Sequence, residues 1–281
     1  MNEAFAHCEA LVRASDKDRF LSALFAPAEH RGALHALYAL NIELSRVGEL
    51  VKEPLAGEVR LQWWREAVAG ERPGEARAHP VASALLEVIG RYGMPLDRFD
   101  EMIEARRFEL GGELMGSLDQ LETYARHTSS NLIELAVRVL DREAHTPAFA
   151  GPAGTSVAMA GLLRRFALDA ARGQLFLPAD LLVQYAVVPQ DIFAGQSSDG
   201  LIAALAYLRD VAAARYEEAR ELTGAAGHTS IAAWLPAALV PPYLRALTRG
   251  ERHPFRAVEV PQWRRQWALW RAARAGRLGA H

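Results

Sequence analysis

Apolar residues recur at spacings of three and four along almost the whole chain, and alternating β-branched runs are scarce. That period puts the apolar side chains on one face of a helix, turn after turn. A chain so patterned buries its stripes helix against helix, which predicts an all-α bundle. With 281 residues, 51% of them hydrophobic, there is material for one large core, so residues 1–281 are read as a single domain. The breaks come from proline and glycine. A long helix is predicted from Pro27 to about Val51, then a break at Pro54 and Gly57 and a helix through Leu61–Glu66. Residues 70–80 read as a polar loop, and helices are predicted over about 81–92 and 96–110. After a break at 111–116, Ser117 and Gln120 form a capping-box pattern opening a helix to Leu140. Thr146–Gly154 reads as a loop and Leu201–Leu222 as a strong helix closed by Gly224. Pro236, Pro241 and Pro242 interrupt the next helix.

Composition narrows the function classes. A net charge of −2 gives no global electrostatic case for nucleic acid. The single cysteine, Cys8, excludes an intramolecular disulfide framework and a cysteine-cluster zinc site. The nine histidines show no metal-type spacing. The N-terminus has no apolar secretory core, and no run reaches the ~18–20 apolar residues that span a bilayer. The expectation is a cytoplasmic protein, with any contact at the inner membrane peripheral.

Chemistry-bearing residues concentrate in two helical stretches. In VAMAGLLRRFALDAARGQLFLP, residues 157–178, positions 158, 161, 165 and 169 share one face and carry Ala158, Gly161, Arg165 and Asp169. Arg165 and Asp169 stand one turn apart and can pair. Alternatively, Arg165 binds a phosphate directly, as guanidinium groups do. In LYALNIELSRVGE, residues 37–49, the corresponding face ends in Ser45, Arg46 and Glu49. Glu53 comes next at the i+4 spacing, which raises a displaced carboxylate set of Glu49, Glu53 and Asp169.

These two stretches resemble the squalene/phytoene synthase family. Its second motif typically reads QLTNILRDxxxDxxRGRxYLP and its first LYAFCRxxDDxVD. Leu162, Leu163, Arg164, Arg172-Gly173 and Leu177-Pro178 keep the frame of the second. The resemblance implies an isoprenoid-synthase-like bundle around a central apolar cavity, with Leu40, Leu44, Val137, Met159 and Leu162 as candidate lining residues. In such an enzyme, paired carboxylates hold magnesium, which stabilises a leaving diphosphate. Here the first acid of each motif falls on Ser45 or Arg165 and only the last acid, Glu49 or Asp169, is kept. The expected site is therefore a vestigial or displaced metal–diphosphate site made of Ser45, Arg46, Glu49, Glu53, Arg165, Asp169 and Arg172. No cofactor is assigned to it. Magnesium, on Glu49 and Asp169, enters only if the chain is an active transferase joining two prenyl diphosphates head to head.

The reading preferred on these residues is a family member without that activity, serving assembly, interaction or lipid binding. The RLQWWREAV run, residues 60–68, and the weak acidic motifs resemble the branch concerned with respiratory complex I assembly. That resemblance implies respiratory complex subunits as partners and a prenyl diphosphate or lipid as ligand. One further feature stands apart. Trp263, Trp267 and Trp270 share a helix face among Arg264, Arg265, Arg271, Arg274 and Arg277. Burial against the bundle is the favoured expectation for this stripe; a membrane interface or a partner-binding face are the alternatives.

Overall fold

The computed structural model describes residues 3–51, 53–142, 148–223 and 230–279. Helices succeed one another without a strand among the described residues. They are α1 (Glu3–Ser15), α2 (Lys17–Ala23), α3 (Ala28–Leu50), α4 (Pro54–Ala69), α5 (Pro73–Ala78), α6 (Pro80–Tyr92), α7 (Leu96–Ala105), α8 (Phe108–Gly111) and α9 (Leu118–Ala125). A π-helical turn at Arg126–Ser130 leads into α10 (Asn131–Leu140). Then come α11 (Ala150–Ala171), α12 (Ala179–Gln184), α13 (Pro189–Phe193), α14 (Asp199–Thr223), α15 (Ile231–Trp234), a 3-10 turn at Leu235–Leu239, α16 (Val240–Arg249) and α17 (Gln262–Ala275).

α3 runs through the middle of the bundle against α1, α6 and α10, and α11 lies along α14. Eight consecutive residues of α3, Ala33–Leu40, are buried, so this helix is apolar nearly all round before it turns amphipathic towards Glu49. The core closes around Tyr38, Trp64, Phe99, Tyr216 and Trp234. Trp64 is buried while Trp63 lies at the edge, donating from its indole to Glu75 at 2.9 Å.

Several boundaries differ from the sequence expectation, for local reasons. Pro54 starts α4 instead of breaking the chain, because the first helical position needs no N–H donor. Gly57 stays inside that helix, where an added Cβ would come within 2.4 Å of the Leu110 side chain. The loop over 70–80 contains α5, again opened by a proline. The predicted 121–140 helix is split by the π turn, where the Thr128 hydroxyl donates to the Tyr124 carbonyl at 2.8 Å. Ser117 caps α9 by accepting from the Gln120 amide, and the Gln120 side chain accepts from the Gly116 amide, one residue before its usual capping-box partner. α11 begins at Ala150, inside the predicted 146–154 loop. Gly154 lets it cross the π turn closely, since a Cβ there would sit 2.4 Å from the Ser130 backbone. Gly224 and the start of that loop lie outside the described residues. The tight crossing seats α11 against the π turn, and α11 carries Arg165 and Asp169.

Candidate functional site

Between the C-terminal half of α3, the middle of α11, and the segments around α2, α9 and α17 lies a cleft of about 900 Å³. Ser45, Arg46, Glu49, Arg165, Asp169 and Arg172 all line it. The two motif stretches, 116 residues apart between Glu49 and Arg165, are thus brought to one wall.

The carboxylates at this wall are held by arginine. Arg165 Nη2 donates to Glu49 Oε1 at 2.6 Å and to Asp169 Oδ1 at 3.0 Å. Arg172 Nη1 closes the set on Glu49 Oε1 at 2.8 Å. One guanidinium therefore bridges α3 and α11, doing by charge-assisted hydrogen bonds what a shared cation would do by coordination. The electrostatics of the two acids differ. Partial burial works to raise the Glu49 carboxyl, but hydrogen bonds and charge from Arg165 and Arg172 outweigh it and hold Glu49 below its usual range. Burial raises Asp169 above its usual value by more than Arg165 lowers it. The Asp169 side chain is only 7% exposed and its Oδ2 has no partner.

Other members of the predicted set make different bonds. Ser45 donates back to the Ile42 carbonyl at 2.9 Å. Arg46 is bonded to neither acid and donates to Ser15 Oγ at 2.7 Å. Glu53 is not part of the wall. α3 ends at Leu50, Val51 is extended, and Glu53 is an exposed residue preceding α4. The i,i+4 pair expected of Glu49 and Glu53 needs one continuous helix, so the displaced carboxylate set does not form. Among the described residues no three His, Cys, Asp or Glu side chains stand together as a metal-holding group. The magnesium implied by the family frame does not fit the side chains present, because a guanidinium fills the space between Glu49 and Asp169.

Sequence reading missed the floor and far wall of the cleft. On the floor, buried Arg106 donates to Glu109 Oε1 at 2.6 Å, Tyr124 Oη at 3.0 Å and Asn41 Oδ1 at 3.0 Å, tying α3 to α8 and α9. On the far wall, Asp18 accepts from Arg265 at 2.6 Å and from the Tyr243 hydroxyl. Arg164 lies 3.7 Å over the Tyr243 ring. Arg164 Nε, Arg265 Nε and Gln174 Nε2 are buried donors without partners along this cleft. The Gln174 and Phe176 positions adjoin the kept Arg-Gly and Leu-Pro frame, the one signal that could have flagged them.

Beneath Asp169 an apolar pocket lined by Met159, Leu162, Phe166 and Leu205 has a volume of about 20 Å³, room for about one water. Two of the five expected lining residues, Met159 and Leu162, border it. Leu40, Leu44 and Val137 are buried in the packed core and line neither this pocket nor the cleft.

The model of the squalene/phytoene synthase family matches residues 12–271. The chain belongs to the squalene/phytoene synthase family. Among solved structures it is similar to a dehydrosqualene synthase, at TM-score 0.82 and 18% identity over 97% of this chain and 96% of that one. It is also similar to a squalene synthase of Alicyclobacillus acidocaldarius, at TM-score 0.77 and 23% identity over 90% and 96%. At these identities the likeness shows the shared all-α fold. In sequence, it is 32% identical to NADH dehydrogenase (ubiquinone) complex I assembly factor 6 of Rattus norvegicus, over 67% of this chain and 57% of the relative. The match thus spans little more than half of that relative's length. A 15-cis-phytoene synthase of Synechococcus elongatus is 25% identical over 96% of this chain and 92% of its own.

Proposed function

We propose that this chain is a squalene/phytoene synthase family member without synthase activity that serves in the assembly of respiratory complex I. The observation that carries the reading is Arg165, bonded at once to Glu49 and Asp169. Head-to-head prenyl transfer builds up the charge of a leaving diphosphate, and preorganised cations held on carboxylates supply most of the stabilisation. Here Glu49 and one oxygen of Asp169 are committed to arginine, and the apolar pocket beneath them has room for about one water. The likeness to complex I assembly factor 6 supports the assembly role and the respiratory subunits as partners.

The test is incubation of the purified protein with farnesyl or geranylgeranyl diphosphate, magnesium and NADPH. No diphosphate release above that of Asp169→Asn is expected; release that this substitution abolishes overturns the reading. The assembly role predicts co-purification of respiratory complex I subunits from the native host, and their absence counts against it. A second reading, that the cleft binds a prenyl diphosphate or lipid headgroup without turning it over, is favoured by the unpartnered donors of Arg164, Gln174 and Arg265. It predicts saturable retention of labelled farnesyl diphosphate in the presence of a chelator.

A further inference from the structure

The tryptophan stripe of α17 faces outward, against the expectation of burial. Trp263, Trp267 and Trp270 are 63%, 54% and 45% exposed. At 3.6 residues per turn they fall within an arc of about 60°. Leu269 and Ala272, on the opposite side, are the buried residues of the helix. The rings are not loosely placed. Trp267 and Trp270 stack with centroids 5.0 Å apart, Arg264 lies 5.1 Å over Trp263, and Arg274 lies 5.9 Å over Trp270. Both ends of the helix are anchored to the bundle. Arg265 bonds to Asp18 at the start, and beyond the end Leu278 is buried and the Tyr216 hydroxyl donates to the Gly279 carbonyl at 2.7 Å.

We propose that this face docks on the interface of an anionic phospholipid bilayer. The chemistry of the patch names the occupant. Indole rings partition to the headgroup level, where an apolar body meets a wet edge. Arg264, Arg271, Arg274 and Arg277 are exposed around them, and Glu259 is the last acidic residue of the chain, so the helix carries positive charge with no acid to offset it. Phosphodiester headgroups complement that charge. A second copy would bring arginines against arginines, which opposes self-association. Among the described residues no helix is long and apolar enough to cross a membrane, so the contact is one of lying on the surface. The opposite side of the same helix places Arg265 on the cleft wall, so docking would set the cleft beside the lipid. The proposal is independent of whether the cleft is catalytic.

The test is sedimentation of the full chain with vesicles of phosphatidylcholine alone and of phosphatidylcholine with about one-third phosphatidylglycerol. Binding to the anionic vesicles is expected, weakened by salt and lost by about tenfold or more in W263S/W267S/W270S. R264Q/R271Q/R274Q should lose the preference for anionic over neutral vesicles and keep the tryptophan-driven part. Because all six side chains are on the surface, both variants should keep the wild-type melting temperature, which separates failed docking from failed folding. No binding by the wild type overturns the proposal, as does undiminished binding by the tryptophan variant. Dimerisation that the tryptophan substitutions abolish, without vesicle binding, also overturns it and assigns the face to a second copy.

Discussion

α3 and α11 carry the same exchange in sequence and put it to different uses in space. Set against the family motifs they resemble, each has another residue at the first acid position, an acid at the last, and an arginine at or beside the first. On α11 the arginine, Arg165, reaches over to α3 and joins the two acids. On α3 the arginine, Arg46, lines the same cleft but bonds to a serine of the α1 terminus and to neither acid. The difference is one residue of register. Arg165 occupies the motif's acid position itself, on the face towards α3, whereas Arg46 comes one residue after that position, Ser45, and is rotated about 100° from it. A symmetrical change in sequence has therefore produced one arginine that joins the two acids and one that bonds α3 to α1 instead.

The largest expected effect comes from undoing the exchange on both helices. Ser45→Asp with Arg165→Asp rebuilds carboxylates on both helices, so millimolar magnesium should stabilise the double variant by about 2–3 kcal/mol when the ion is well above its dissociation constant. The wild type should show no such shift in melting temperature. An equal shift in the wild type would mean that Arg165 does not obstruct a metal. Next comes Arg165→Ala, which strands the buried Asp169 and leaves Arg172 as the remaining arginine on Glu49. A loss of about 1–2 kcal/mol by urea unfolding is expected, below that of a fully buried pair because the arginine is half exposed. Arg46→Ala, on the other helix, should cost no more than about 0.5 kcal/mol. Comparable losses for the two would break the comparison.

The two retained acids sharpen it further through pH. Glu49 is held below its usual value, so its ionic contribution is present above the ordinary carboxylate range and lost as pH falls through the depressed value. Asp169 is raised by burial, so the fold favours its protonated form. That contribution is present in acid and lost as pH rises through the raised value. Glu49→Gln should thus be less stable than the wild type at neutral pH, with the gap closing in acid. Asp169→Asn should gain relative to the wild type as pH rises from acid to neutral. Urea unfolding across that range measures both, and parallel profiles would contradict the assignment of opposite environments.

Much of the architecture was legible in the residues. The three-and-four spacing, with the kept Arg-Gly and Leu-Pro frame, identifies an all-α family bundle, and Arg165 with Asp169 is an i,i+4 pair visible in one turn. The third member of the bond, Glu49, was legible only as a motif remnant. Its partnership depends on the reach of the Arg165 side chain from α11 to the end of α3, which the pattern of either helix alone does not show. Glu53 was misplaced because helical spacing was carried past Val51, where the backbone becomes extended. Leu40, Leu44 and Val137 were misassigned as cavity lining for a related reason: an apolar stripe says that a face is buried, and nothing about how much volume the facing side chains leave.

The chain's own pattern determined that helices form, which faces are apolar and which charges share a turn, since these are local consequences of period and charge. Tertiary structure alone decided that Arg165 bridges two helices, that the apolar pocket beneath Asp169 holds about one water, and that three tryptophans on one stripe face outward. A stripe of like residues has two possible sides to meet. Packing chose Leu269 and Ala272 for the inner face of α17, and left the indoles and arginines on the outside.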